Sequence, residues 1–291
     1  MQSPESETPN IKKLQDVLLE LLIELDRICT KHKINYSISF GTLIGAVRHA
    51  GFIPWDDDAD IIMTRENYDK FCKICATELS DGCFLQTKDS DKKYPYNISR
   101  LRKDNTTMIY EEWKKAGFHQ GLYIDIFPCD EIPDSLLKRC FQKWVIVLTT
   151  MVRVSRNREI FLNRKRGKFL LRKIMYIFLR FVPKEIFDRI EYQIITKYNS
   201  KSNNKIGIIC EGGILLNTPK KRKPFNTYVF NRYDRILFEG YNLMTVSSYE
   251  ALLDYWYGDY MKLPPVNERV MTHRPLVWDV NKSYQKYIDD C

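Results

Sequence analysis

The chain has 291 residues, of which 44% are hydrophobic and 13% aromatic, and carries a formal charge of +9. That is ample apolar material for a sizeable core, and it excludes a disordered chain. The charge is uneven: residues 153–184 hold eleven Lys or Arg against one acid, Glu159, so the remainder is near neutral and the high isoelectric point gives no ground for a nucleic-acid partner.

The opening stretch "MQSPESETPN" is polar and has no apolar signal core, which predicts a cytoplasmic protein. Ile11, Leu14, Leu18, Leu21, Leu22, Leu25 and Ile28 then recur at three- and four-residue steps and predict a long amphipathic helix. "NYSISF" (35–40) has a strand's composition, and "GTLIGAVRHAG" reads as a short helix or loop bounded by glycines. "WDDDAD" follows, with Asp56, Asp57, Asp58 and Asp60 beside an apolar run. "ADIIM" is a short buried strand, and Thr64 is placed to cap a helix over "RENYDKFCKICATEL". On that helix Cys72 and Cys75 form a lone CxxC on the apolar face with Tyr68, Phe71 and Leu79. With no second CxxC and no nearby His, the four-ligand set of a structural zinc is missing, so the eight cysteines are expected to be reduced thiols.

Further on, "YNISRLRKDNTTMIY" and "GLYIDIFP" (121–128) are strand-like, the second closed by Pro128. Residues from about 133 to 200 read as helical and basic. "WVIVLTTMV" (144–152) and "KFLLRKIMYIFLRFVP" (168–183) are too short to span a bilayer. They suit either an anionic membrane surface or a core helix with a solvated basic face, and periodicity alone does not separate the two. Strand signals return at "KIGIIC" (205–210) and "YNLMTV" (241–246). Ser247 and Glu250 then offer a capping box for a helix over "YEALLDYWY", ended by Gly258. Strands and helices mix without regular alternation, which indicates an α+β fold.

The aspartates carry the chemistry. If Asp58 and Asp60 lie on one extended segment they point the same way, and two neighbouring carboxylates beside a core repel unless a cation sits between them. A divalent ion with oxygen ligands, Mg²⁺ or Mn²⁺, resolves this. Asp125, inside the otherwise apolar "GLYIDIFP", is a third candidate ligand, because an unpaired carboxylate there is strongly disfavoured. A polar, solvated turn is the plain alternative; the strand directly after the cluster and the isolated Asp125 weigh against it. The twelve-residue EF-hand pattern is absent.

A strand, a Gly-Thr turn, an Asp-x-Asp on a second strand and a lone Asp on a third resemble the nucleotidyltransferase fold. Within it, "GTLIGAVRHAGFIPWDDDADI" is similar to the LicD family, which includes bacterial lipopolysaccharide cholinephosphotransferases, with fukutin-related proteins more distant. "RLRKDNTT", "GLYIDIFP", "EGYNLMTV" and "YGDYMKLPP" extend the likeness over most of the chain. The resemblance implies a nucleotidyltransferase-like mixed sheet flanked by helices, with a helical basic insertion. The expected segments are a core over 1–132, an insertion over 133–204 facing membrane or acceptor, and strands and a helix over 205–291 that complete the core. The implied activity is transfer of a substituted phosphate, such as phosphocholine, from a CDP-linked donor to a saccharide or lipid-linked saccharide, as in lipopolysaccharide or teichoic acid assembly, with release of CMP. Peripheral contact with the cytoplasmic face of the membrane is expected through 153–184.

By that resemblance Asp58 and Asp60 are the metal-binding pair, Asp56 and Asp57 the acids preceding it, and Asp125 the later strand aspartate, which is also the expected activator of the acceptor hydroxyl. Gly41 and Thr42 would let backbone N–H groups approach phosphate. Arg48, His49 and Arg102 are expected donor or phosphate contacts, arginine through its planar fork; His49 would equally orient Asp56 or cap a turn. The likeness reaches His273 after "YGDYMKLPP", but His273 has no role assigned from sequence. Two other functions share these residues: a true nucleotidyltransferase that releases pyrophosphate from an NTP, and a non-catalytic binding protein of the same fold.

Overall fold

The computed structural model describes residues 11–156, 183–199, 203–210, 224–273 and 275–288. The stretch 168–183, apart from Pro183, and most of the basic segment 153–184 lie outside the described residues.

The leucine stripe forms helix α1 (Ile11–His32), with Leu14, Leu18, Leu21, Leu25 and Ile28 fully buried. Strand β1 (Ser37–Ser39) runs directly into α2 (Phe40–His49), and the elbow between them is held by Phe40 at a left-handed φ of 48°. A non-glycine residue there costs energy. Phe40 stacks on Trp256 at 4.9 Å and meets Phe127 edge-on, so packing holds the bend. The aspartate loop leads into β2 (Asp60–Thr64) and α3 (Arg65–Glu78), then β3 (Cys83–Gln86), β4 (Ser99–Lys103), β5 (Thr107–Ile109) and β6 (Tyr123–Ile132). Helices α4 (Leu136–Arg156) and α5 (Lys184–Thr196) pack together. They are followed by β7 (Lys205–Gly207), β8 (Phe225–Asn226), β9 (Tyr233–Phe238), β10 (Tyr241–Val246), α6 (Tyr249–Tyr257) and β11 (Val277–Asp279).

The main sheet is mixed, in the order β1-β2-β6-β4-β3, with β7 added to β6 and β8 to β7. Among the described residues only β2 and β6 run parallel, in the register Asp60↔Asp125, Ile61↔Ile126 and Ile62↔Phe127. Alternation along these strands divides the interior. Ile61, Met63, Leu101, Ile124 and Ile126 pack on the side of α1, while Ile62, Phe127 and Cys129 pack with Phe40, Ile195 and Trp256. The fold is α+β, a mixed sheet flanked by helices.

Three local expectations differ from what forms. Pro128 does not close its strand, and β6 continues to Ile132. Asp125 donates its N–H to Ala59 toward β2, so the missing donor of Pro128, three residues on, faces the opposite edge. There β4 pairs only as far as Ile126 and β7 begins only at Asp130, so no ladder bond is lost. Thr64 flanks α3 without capping it; its Oγ1 accepts from Asn67 Nδ2 at 2.8 Å. The residue before α6 is Ser248, with no side-chain cap, and not Ser247. The cysteines of the described residues are free thiols. Among the described residues no helix is long and apolar enough to cross a membrane.

Candidate active site

The sheet presents its acids at the start of β2. Because paired residues on neighbouring strands project to one face, Asp60, Asp125 and Arg100 stand side by side, through the registers Asp60↔Asp125 and Arg100↔Asp125. Arg100 donates from Nε to Asp125 Oδ1 at 2.7 Å, and this pair is almost enclosed. Asp60 is buried, and its backbone N–H donates to Thr42 Oγ1 at 2.9 Å. The Thr42 hydroxyl is thus interior and fixes where β2 begins, a role different from the expected phosphate contact.

Asp56, Asp57 and Asp58 precede the strand on a loop that α1 holds in place. Gln15 Nε2 donates to the carbonyls of Ile53 (3.1 Å) and Asp56 (3.0 Å). Trp55 packs on the core with Arg269 over its ring at 5.6 Å. Gly41 leaves room for the Asp56 carboxylate: a Cβ at that position would lie 2.5 Å from Asp56 Oδ2, so that side chain would have to shift. That oxygen is buried with no hydrogen-bond partner. Burial, then the charge of Asp58, pushes the Asp56 carboxyl well above the ordinary carboxylate range. Asp58 is also raised, chiefly by burial, with Asp57 and Asp125 adding to the effect and His273 opposing it.

His273 is the residue that sequence reasoning left unassigned. Its backbone N–H donates to Asp57 Oδ2 (3.0 Å), and its Nδ1 lies 3.3 Å from Asp57 Oδ1 and 3.4 Å from Asp58 Oδ2. The hydrogen bond with Asp57 outweighs burial and pushes the imidazole up to about 9. Ligand atoms of Asp57, Asp58 and His273 all fall within 4.8 Å of one another. Among the described residues this is the group whose ligand atoms come close enough to share an ion, and Asp60 and Asp125 stand beside it. The role of His273 was not legible locally, because its partner Asp57 lies 216 residues away.

A cleft of about 590 Å³ opens over the cluster, lined by Gly41, Arg48, Asp56, Asp58, Asp60 and His273 together with Tyr260 and Lys262. Arg48 donates from Nη1 to the carbonyls of Tyr260 (3.2 Å) and Lys262 (3.4 Å), and its Nε is buried without a partner. His49 sits exposed at the end of α2 and, among the described residues, makes no hydrogen bond with Asp56. Arg102 does not reach the cleft. It is fully buried, donates from Nε to Gln86 Oε1 at 2.6 Å and from Nη1 to the Gly121 carbonyl, and is pushed down to about 10 by burial and by Arg100. The alternation of "SRLRK" puts both arginines on one face, and the register with β6 assigns Arg100 to the aspartates and Arg102 to Tyr123. A larger cavity of about 770 Å³ lies between α3, β3 and α5, and its described lining includes none of the cluster.

Residues 33–159 match the family model described as LicD/FKTN/FKRP, nucleotidyltransferase domain. Over 270 residues, 90% of this chain and 96% of the relative, the chain is 28% identical to the lipopolysaccharide cholinephosphotransferase LicD of Haemophilus influenzae. Shorter likenesses, 46% over 57 residues and 48% over 50, connect it to uncharacterized proteins of Rickettsia typhi and Rickettsia prowazekii, covering 20% and 17% of this chain and 18% and 19% of theirs. The aspartate loop and the parallel strand pair behind it lie within the segment that carries the likeness: residues 33–159 are similar to the LicD/FKTN/FKRP nucleotidyltransferase domain, and nearly the whole chain is similar to a LicD protein.

Proposed function

We propose that this protein is a metal-dependent phosphotransferase that moves a substituted phosphate, phosphocholine or a close analogue, from a CDP-linked donor to a hydroxyl of a cell-surface glycan or glycolipid precursor and releases CMP. The observation that supports this reading is the meeting of Asp57 and Asp58 with His273 beside an open cleft that Asp56, Asp58, Asp60 and His273 line, with Asp125 paired to Asp60 on the next strand. The donor set fits a magnesium or manganese ion. Carboxylate oxygens dominate it, Asp56 and Asp58 are both raised, first by burial and then by neighbouring carboxylates, and Asp56 Oδ2 has no hydrogen-bond partner. Asp58 and Asp60 would hold such an ion, with Asp57 or Asp125 beside them, and when bound it neutralises charge on the donor's phosphates.

The chain's own residues supply the rest. In the transfer, the acceptor oxygen forms the new bond to phosphorus, the bond from phosphorus to the CMP oxygen breaks, and the hydroxyl proton passes to a carboxylate. We assign that proton to Asp125, which Arg100 orients through Oδ1. Arg48, anchored at the cleft rim, faces donor phosphates, for which a guanidinium fork is suited.

The test is incubation with labelled CDP-choline and other CDP-alcohols, with CMP scored against pyrophosphate. CMP is expected, and Asp58→Asn and Asp60→Asn should each abolish both turnover and the rise in Tm on adding Mg²⁺. Pyrophosphate released from CTP would instead establish the nucleotidyltransferase reading. Variants that keep full activity and an unchanged Tm response would remove the metal site from the account.

A further inference from the structure

Helix α4 turns a continuous apolar stripe to solvent. Leu137, Phe141, Trp144 and Leu148 expose 85%, 58%, 67% and 57% of their surface. At about 100° per residue these positions fall within an arc of about 60° and extend about 16 Å along the helix. The opposite face is anchored, so this is not a loose helix. Gln142 donates to the Ile194 carbonyl at 3.0 Å, Thr149 donates to Glu191 Oε1 at 3.1 Å, and Ile146 is fully buried. On α5, Ile186 and Ile190 are likewise exposed.

The charge on α4 has one sign. Lys138, Arg139, Lys143, Arg153 and Arg156 are its charged residues, and it has no Asp or Glu. Of the acids on α5, Glu191 is buried against Thr149 and Asp188 pairs with Lys88 at 3.4 Å, which leaves Glu185 exposed. A second copy of this chain docked on the stripe would set basic flank against basic flank. An anionic bilayer supplies both complements: headgroup phosphates for the basic residues and the acyl boundary for the large apolar ones.

We infer that α4 is an interfacial membrane-docking helix that lies on an anionic lipid surface through Leu137, Phe141, Trp144 and Leu148, with Lys138 and Lys143 meeting lipid phosphates. This does not depend on the proposed reaction, and its test needs no turnover. The full chain is mixed with vesicles of phosphatidylcholine alone or with equimolar phosphatidylglycerol and sedimented in low and high salt, and Trp144 emission is followed with brominated lipids.

Binding to anionic vesicles, release in high salt, and quenching that disappears in Trp144→Phe are expected. Phe141→Ser with Trp144→Ser should weaken binding by about tenfold or more. Both side chains are largely solvent-facing, so the double variant should keep its Tm, and Lys138→Glu with Lys143→Glu should lose binding by the charge route alone. No sedimentation with either vesicle, equal sedimentation with both, or a stable dimer in solution that dissociates in the Phe141 and Trp144 variant would overturn the inference.

Discussion

The Arg100 guanidinium carbon lies 4.2 Å from the ring centroid of Tyr123, 4.6 Å from Trp113, 5.3 Å from Tyr96 and 5.8 Å from Tyr94, with Asp125 at its Nε. Rings on several sides and one carboxylate compensate a buried cation that would otherwise be costly. Removing the charge leaves Asp125 facing the aromatic wall alone. Arg100→Gln is therefore expected to cost about 3–5 kcal/mol in urea unfolding, the usual penalty for orphaning one member of a buried pair. Arg100→Lys should recover only part of that loss, because an ammonium has no planar face to stack. A cost of less than about 1 kcal/mol for Arg100→Gln would mean that the rings, and not the ion pair, hold Asp125 in place. From sequence, "SRLRK" offers two arginines with equal claims, and only strand register distinguishes them.

Among the elements, α1 is joined to the turn before β3 through Glu24. Its carboxylate accepts from Arg27 Nε and Nη2 at 2.8 Å each, from the Ser80 N–H at 2.8 Å and from Ser80 Oγ at 3.0 Å. Burial alone would raise this carboxyl, but the bonds from Arg27 and Ser80 outweigh it and hold it below its ordinary 4.5. The native chain then binds fewer protons here than the unfolded chain. The stability this supplies is complete above about pH 4.5 and is lost as the pH falls through the lowered native value. Glu24→Gln should accordingly flatten the acid limb of a Tm-against-pH profile while leaving its alkaline limb in place; an unchanged acid limb would remove Glu24 as a contributor. The leucine stripe of α1 was legible from spacing, because an apolar face repeats locally. The Glu24 link was not, since it depends on a turn 56 residues away.

Across the whole molecule, Asp130 on β6 is a point where distant parts meet. It accepts both arms of Arg65 from α3 at 2.9 and 2.7 Å, and Asn199 Nδ2 at 2.8 Å from the turn after α5. Asp130→Ala should destabilise the protein by about 3–5 kcal/mol and raise hydrogen exchange in α3 and α5 together, because one buried carboxylate serves both. Exchange confined to one helix would show that they are held independently. The sequence alone determined that Asp56 to Asp60 border a core strand, that Asp125 interrupts an apolar one, and that the chain shares LicD motifs, since each of these is a pattern within a few residues. It also determined where most helices and strands lie, because period 3.6 and period 2 are written locally. Tertiary structure alone decided that His273 closes the acid cluster, that Arg100 rather than Arg102 meets Asp125, and that Thr42 anchors β2. Those are choices of register and packing between segments far apart in the chain, and they are settled by the energy of the assembled sheet and not by any one stretch of it.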